Sequence, residues 1–170
     1  MEQIKSKSRA LPFSLAICGL AELPTKLERF IPSHVISITD LNDEPLDFPA
    51  PITVLRLAFF DIHAQTGMVG KMLSARDRGE YPCIGHAEII LEFGRQIPKG
   101  ARLLIHCWAG VSRSTAAAYL LLCQHMHGDE CSAFELLKTI RPSAQPNRLI
   151  VKFGDRLLGA ERRMLRCVDR

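Results

Sequence analysis

One segment constrains the fold of this chain more than any other, "ARLLIHCWAGVSRSTAAAYLLL" at residues 101–122. Apolar residues dominate its first part, which is typical of a central strand buried on both faces. Its last part has apolar residues at helical spacing. The segment therefore predicts a strand, a tight loop and the N-terminus of a helix in succession, which is where α/β folds bind ligands.

The rest of the chain repeats this alternation of short β-rich runs and longer amphipathic runs, with Gly, Pro or Asp at the joins. Strands are predicted at residues 13–19, 34–38, 52–58 and 101–106. Helices are predicted at residues 25–30, 84–96, 114–127, 131–140 and 147–163. We therefore expect an α/β fold with a central, largely parallel sheet of about four to five strands, flanked by helices, and a helical C-terminal half.

Length and composition indicate a single globular domain covering residues 1–170. Hydrophobic residues make up 47% of the chain and charged residues 24%, and no run of eighteen apolar residues occurs. These values exclude a disordered chain and a membrane-spanning one. The net charge of +4 is too small to argue for nucleic acid, and an anionic ligand fits better.

The N-terminal segment "KSKSRALPFSLAICGLAEL" has basic residues followed by apolar ones, as a signal peptide has. Glu22 and Pro24 stand where a small-residue cleavage site is needed, and "FSLAICGL" is equally suited to a buried first strand. We therefore expect a strand here, and a cytoplasmic protein.

The six cysteines are widely spread and include no CxxC pair. This spacing predicts neither a zinc site nor a disulfide framework. Cys18 and Cys123 lie in apolar runs and are expected in the core, with a redox partnership between one of them and Cys107 as the alternative.

The loop between Cys107 and Arg113 has the spacing C-x5-R, so its backbone N–H groups can surround one anion, with Gly110 allowing the close turn. The unpaired N–H groups and dipole of the following helix favour the same charge. Arg113 adds a planar fork for two phosphate oxygens. The predicted phosphate-binding residues are Trp108, Ala109, Gly110, Val111, Ser112 and Arg113.

A cysteine at the mouth of this cradle is held in a field that favours the thiolate. Cys107 is therefore the predicted nucleophile, which attacks a bound phosphorus and leaves a phosphocysteine for water to hydrolyse. Ser114 is expected to hydrogen-bond the departing sulfur. His106 is expected to anchor the loop rather than to transfer protons. Trp108 either lines the rim of the site or packs beneath the loop.

"HCWAGVSRS" resembles the HCxxGxxR[ST] signature of the cysteine-dependent protein tyrosine phosphatase superfamily, and especially its dual-specificity branch, in a small bacterial-type single-domain form. "IRPSAQPNRLI" is similar to that branch's RPxAxPN segment, and "VLRLAFFDI" resembles its strand that ends in the general-acid aspartate. The resemblance spans residues 50–155. It implies the phosphatase fold and the phosphocysteine mechanism, with Asp61 as the proton donor.

The long stretch "HAQTGMVGKMLSARDRGEYP" after Asp61 leaves two other acids open, Asp77 and Glu80. A carboxylic acid on such an insertion can also reach the leaving oxygen. The choice among these three carboxyl groups needs geometry.

The predicted function is metal-independent and cofactor-free hydrolysis of phosphomonoesters, above all phosphotyrosine in proteins, with phosphoserine and phosphothreonine as further substrates. The loop lacks the lysines of "CKAGKGR", which makes an inositol lipid the less favoured substrate. The rival from another class is a phosphate- or phosphoprotein-binding module with little catalysis. The expected partner is a phosphorylated protein or another phosphomonoester, without nucleic acid or a membrane span.

Overall fold

The computed structural model describes residues 11–62 and 80–170, in which a parallel sheet of four strands separates two unequal layers. The strands are β1 (Ser14–Gly19), β2 (His34–Thr39), β3 (Thr53–Ala58) and β4 (Arg102–Cys107). The helices are α1 (Leu23–Phe30), α2 (Ile84–Gln96), α3 (Arg113–His125), α4 (Glu130–Ile140), α5 (Arg148–Leu157) and α6 (Arg163–Val168).

The strand order β1-β4-β2-β3 places β4 between two parallel neighbours. Successive residues of β4 therefore point to opposite faces of the sheet. Leu103, Ile105 and Cys107 lie on the face covered by helices α2 to α6. Leu104 lies on the other face, in a smaller cluster beside α1. The predicted α/β fold with a parallel sheet and a helical C-terminal half is confirmed.

Helix α3 occupies the centre of the larger layer, and its residues from Arg113 to Cys123 are all buried. A helix that is covered on every side reads as apolar all round, as the run "STAAAYLLLC" does. Gly94 of α2 and Gly154 of α5 lie against it, and an added Cβ at either one would collide with a leucine of α3. The N-terminus of this central helix therefore lies at the carboxyl end of β4.

The predicted helix at residues 147–163 is wrong, because the chain breaks into α5 and α6. Gly159, Glu161 and Arg162 have positive φ angles of 62°, 49° and 66°, which no continuous helix contains. The buried Asp155 accepts hydrogen bonds from the backbone N–H groups of Arg162 at 2.7 Å and of Met164 at 3.0 Å. These bonds stabilise a turn that apolar periodicity alone does not reveal.

The cysteines form no framework of several disulfides, but one bond that their spacing did not predict joins Cys131 in α4 and Cys167 in α6 across 36 residues. Cys18 and Cys123 are buried and free, as expected of core residues. Burial raises the pKa of Cys18 to about 12. Cys18 pairs in register with His106, so its side chain lies on the opposite face of the sheet from that of Cys107. This placement does not favour the alternative redox pair.

Candidate active site

The loop from Cys107 to Arg113 forms one wall of a cavity of about 530 Å³ at the carboxyl edge of the sheet. Cys107 ends β4 and Arg113 begins α3, as the C-x5-R pattern predicts. The other residues that line the cavity are Asp40, Phe60, Asp61 and Gln145, which follow β2, β3 and α4.

The loop lies directly against the end of β1. Gly110 has a φ of +70°, and a Cβ there would meet the carbonyl carbon of Cys18 at 2.5 Å. A Cβ at Gly19 would in turn meet the carbonyl carbon of Ala109 at 2.9 Å. Both positions therefore require glycine, one for its backbone conformation as well as its size.

A salt bridge on the outside of the loop holds two of its carbonyl groups. Arg141 donates to the carbonyl oxygens of Gly110 at 3.0 Å and Ala109 at 3.3 Å, and it forms a bidentate pair with Glu22. Glu22 also accepts from the N–H of Gly19 at 2.7 Å. Hydrogen bonds from Arg141 and from Gly19 hold the pKa of the Glu22 carboxyl below its usual range.

The remaining loop carbonyls are held in the same way. The oxygen of Trp108 accepts from Leu20 N–H, that of Val111 from Gln145 N–H, and that of Ser112 from Asn147 N–H, at 2.9, 2.9 and 3.1 Å. In a trans peptide the N–H points opposite to the carbonyl. The N–H groups of residues 109–113 are therefore directed away from these outside partners and toward the cavity, where they form a concave donor surface for an anion.

Cys107 is 2% exposed, and its Sγ lies 3.1 Å from the hydroxyl oxygen of Ser114. Ser114 is the second residue of α3, so both its hydroxyl and the neighbouring sulfur lie at the N-terminus of this helix. The structure thus places a hydrogen-bonding hydroxyl beside the predicted nucleophile.

Arg113 is 4% exposed, and only part of its hydrogen-bonding capacity is used within the chain. Its Nη1 donates to Asp40 Oδ1 at 2.6 Å and to the carbonyl oxygen of Phe59 at 2.7 Å. Within the described residues its buried Nε has no hydrogen-bond partner, and the carboxylate oxygen Asp61 Oδ2 is 4.0 Å away. A buried charged donor without an acceptor, in a side chain that lines the cavity, fits an anionic ligand.

Asp61 lines the cavity, and its carboxylate is held by hydrogen bonds from the loop and from the start of α5. Its Oδ1 accepts from the Ser112 hydroxyl and from Asn147 Nδ2, both at 2.7 Å. Asn147 is fully buried, and its own oxygen caps α5 by accepting from the N–H groups of Leu149 and Ile150. Of the other two acid candidates, Glu80 is not among the cavity-lining residues described, and Asp77 lies outside the described residues.

His106 and Trp108, the two residues that flank Cys107 in sequence, have opposite environments. His106 is fully buried, with Nε2 2.9 Å from the Ser37 hydroxyl, and burial lowers its pKa to about 4. Its side chain lies on the face of the sheet opposite to that of Cys107. Trp108 is 69% exposed and lines the cavity, so the structure places it at the rim and not beneath the loop.

Comparisons with known proteins agree with this geometry. No family model matches the chain. The chain is 30% identical over 146 residues to MAP kinase phosphatase with leucine-rich repeats protein 3 of Dictyostelium discoideum, and 31% identical over 85 residues to mouse dual specificity protein phosphatase 12. The alignments cover 79% and 48% of this chain, and 16% and 24% of those relatives.

The Yvh1 phosphatase domain from Chaetomium thermophilum has a similar fold, with a TM-score of 0.62 at 16% identity over 92% of this chain and 96% of that one. The chain belongs to the dual-specificity-phosphatase-like branch of the protein tyrosine phosphatase superfamily. The relatives named here are eukaryotic, and the bacterial type stays a prediction. The chain covers less than a quarter of the length of both curated relatives.

Five residues of this phosphatase-like site were not predicted from the sequence. They are Glu22, Asp40, Arg141, Gln145 and Asn147. The last three lie in "IRPSAQPNRLI", a segment that carries the family resemblance, so position in a matching motif was the available signal. Glu22 and Asp40 have no such signal, because their roles depend on which strand ends are neighbours in the sheet.

Proposed function

We propose that the chain is a metal-independent phosphomonoester hydrolase that acts through a phosphocysteine intermediate. The observation that carries the proposal is the buried Nε of Arg113, which has no hydrogen-bond partner among the residues that the structure describes and belongs to a side chain that shares one cavity with Cys107. Phosphotyrosine in proteins is the first substrate class, and phosphoserine and phosphothreonine are the second. The proposed unit is one domain without a bound cofactor, acting on a phosphorylated protein and not on nucleic acid.

In the first step, the Cys107 thiolate attacks the phosphorus, a P–S bond forms and the P–O bond to the leaving group breaks. The loop N–H groups and Arg113 hold the three equatorial oxygens, whose charge they stabilise most strongly in the transition state. Asp61 is the proposed general acid, and it delivers a proton to the departing oxygen.

In the second step, water attacks the phosphocysteine and releases orthophosphate. Asp61, now ionised, takes a proton from that water, and the P–S electron pair returns to sulfur. The Ser114 hydroxyl, 3.1 Å from Sγ, donates a hydrogen bond to the thiolate as it departs. Asn147 keeps Asp61 in place through both steps because it is itself fixed as the cap of α5.

The described part of the chain has no group of three or more His, Cys, Asp or Glu side chains suited to hold a metal ion, and none of its helices is long and apolar enough to cross a bilayer. Metal dependence is therefore a question for experiment. The proposed cytoplasmic location is likewise to be tested, since disulfides such as Cys131–Cys167 are rare in a reducing cytosol.

The test is release of phosphate from an aryl phosphate and from a phosphotyrosine peptide, with and without a chelator. We expect the chelator to have no effect and Cys107→Ser to abolish turnover while peptide binding stays measurable, because the hydroxyl fits the cradle but is a poor nucleophile. Turnover in Cys107→Ser at the native rate would overturn the phosphocysteine mechanism. Tight peptide binding without turnover in the native chain would identify a phosphoprotein-binding module instead.

A further inference from the structure

Some exposed apolar side chains lie at the same edge of the sheet as the cavity, and one of them, Trp108, lines it. Five large hydrophobic residues are exposed in the described part of the chain, namely Leu20, Ile31, Leu41, Ile89 and Trp108. Three of these follow the ends of β1, β2 and β4 at the carboxyl edge of the sheet, and Trp108 is the most exposed of all at 69%. Exposed apolar groups that gather at a cleft are typical of a binding surface.

Hydrogen bonds hold the backbone at Trp108 in place. The carbonyl oxygen of Trp108 accepts from Leu20 N–H at 2.9 Å, and the next carbonyl accepts from Arg141. Its position is thus set by the same contacts that shape the cradle. An aromatic side chain on such a backbone has only two χ angles to fix, so it loses little conformational entropy when a second apolar group packs against it.

The charges at the cavity are unsuited to a second phosphate. Arg113 is the one cation among the cavity-lining residues described, and Asp40 and Asp61 line the same cavity. A substrate with further negative charge next to its phosphate would meet these two carboxyl groups, whereas an apolar neighbour meets Trp108.

We propose that Trp108 is a specificity-determining residue that selects singly phosphorylated peptides with apolar or aromatic residues beside the phosphorylated side chain. The proposal rests on the proposed function and names the substrate class of the same site. The cradle binds the phosphate, and the indole packs against the apolar neighbour in an offset-stacked or edge-to-face contact. The carboxyl groups of Asp40 and Asp61 at the cavity disfavour acidic and doubly phosphorylated peptides.

The test compares kcat/KM for three phosphotyrosine peptides of equal length, one with Leu and Phe flanks, one with Asp and Glu flanks and one with a second phosphate. We expect the native chain to prefer the apolar peptide. In Trp108→Ala the preference over the acidic peptide should fall on the order of fivefold, mainly through KM, the scale of one aromatic contact. Trp108→Phe should retain most of the preference.

Ile89→Ala is the matched control, because Ile89 is an exposed apolar residue in α2 that does not line the cavity, and it should keep the native preference. An unchanged preference in Trp108→Ala, or a native preference for acidic or doubly phosphorylated peptides, would overturn the proposal while leaving phosphatase activity intact. A different outcome is that the native chain hydrolyses a singly phosphorylated lipid in neutral vesicles faster than any of the three peptides. If Trp108→Ala loses that advantage, the proposal is overturned and Trp108 contacts a membrane. No hydrolysis of any ester would instead reject the proposed function.

Discussion

Arg113 in the cradle and Glu130 at the start of α4 are charged side chains buried to nearly the same degree, with 4% and 3% exposed. Glu130 accepts hydrogen bonds from Arg163 Nε at 3.0 Å, from Arg163 Nη2 at 3.3 Å and from Gly128 N–H at 3.1 Å. Burial alone raises the pKa of Glu130, and these bonds more than reverse that rise. Arg113, in contrast, keeps one buried donor unused.

The comparison shows that burial of a charge does not by itself mark a functional site. At Glu130 the chain supplies partners for its own charge, so the pair stabilises the contact between α4 and α6. At Arg113 the described part of the chain supplies acceptors for Nη1 and none for Nε, the donor that we propose binds phosphate. We therefore expect changes near Arg113 to affect activity, and changes near Glu130 to affect stability.

After the loss of turnover expected for Cys107→Ser, the largest effect is expected at Asp61. Asp61→Asn should slow hydrolysis of an alkyl phosphate by roughly 10²- to 10⁴-fold, the usual scale of general acid catalysis. The loss should shrink as the leaving group becomes a better one, because an activated aryl oxide departs without a proton. Leaving-group dependence of kcat/KM measures this. If Asp77→Asn shows that dependence and Asp61→Asn slows all esters equally, the acid lies in the segment after Asp61.

Arg113→Lys should lower kcat/KM on the order of 10²- to 10³-fold, the scale for losing a donor aimed at transition-state charge. A lysine can pair with Asp40 but cannot also offer a planar second donor to phosphate. Steady-state kinetics on an aryl phosphate, together with the urea midpoint of unfolding, separates activity from stability. A large stability loss with unchanged kcat/KM would show that Arg113, like Glu130, serves stability and not activity.

Arg141→Met should lower kcat about tenfold, because it releases two loop carbonyls and lets the N–H groups turn away from the phosphate. Competitive inhibition by inorganic phosphate should weaken in parallel. Arg95→Met is the control, since Arg95 pairs with Glu92 on the surface of α2. Equal effects of the two variants would show that the contact of Arg141 with the loop has no role in catalysis.

Arg163→Met is expected to leave kcat/KM unchanged and to lower the free energy of unfolding, because it leaves the buried Glu130 carboxylate without its ion-pair partner. Because the folded-state pKa of Glu130 lies below its ordinary value of 4.5, the stabilisation by the ion pair is present above that pH. The free energies of unfolding of the native chain and the variant, measured in urea, should thus become more similar as the pH falls below that value. A constant difference would mean that lost packing, not charge, is responsible.

The sequence predicted the parts of this molecule that depend on local pattern. The predicted boundaries of all four strands lie within one residue of those observed, and the helix at residues 84–96 is matched at both ends. Cys107, Arg113 and Ser114 could be placed because one strand, one loop and one helix N-terminus follow each other directly. Their proposed chemical roles are for the experiments above to test.

What could not be predicted depends on contacts between distant segments. The turn at Gly159 is stabilised by Asp155, the disulfide joins residues 36 apart, and Glu22 meets Arg141 only after β1 and β4 have paired. None of these contacts produces a periodic pattern in the sequence. They require the strand order, which the sequence pattern left open.

The bracing of the loop carbonyls has a consequence for synthesis of the chain. Every residue of the loop leaves the ribosome before Arg141 and Asn147, which supply its outer hydrogen bonds. A growing chain therefore contains the reactive cysteine and its arginine for some time without the contacts that shape them into a cradle. The order of translation itself delays completion of the site until α4 and the cap of α5 have been made.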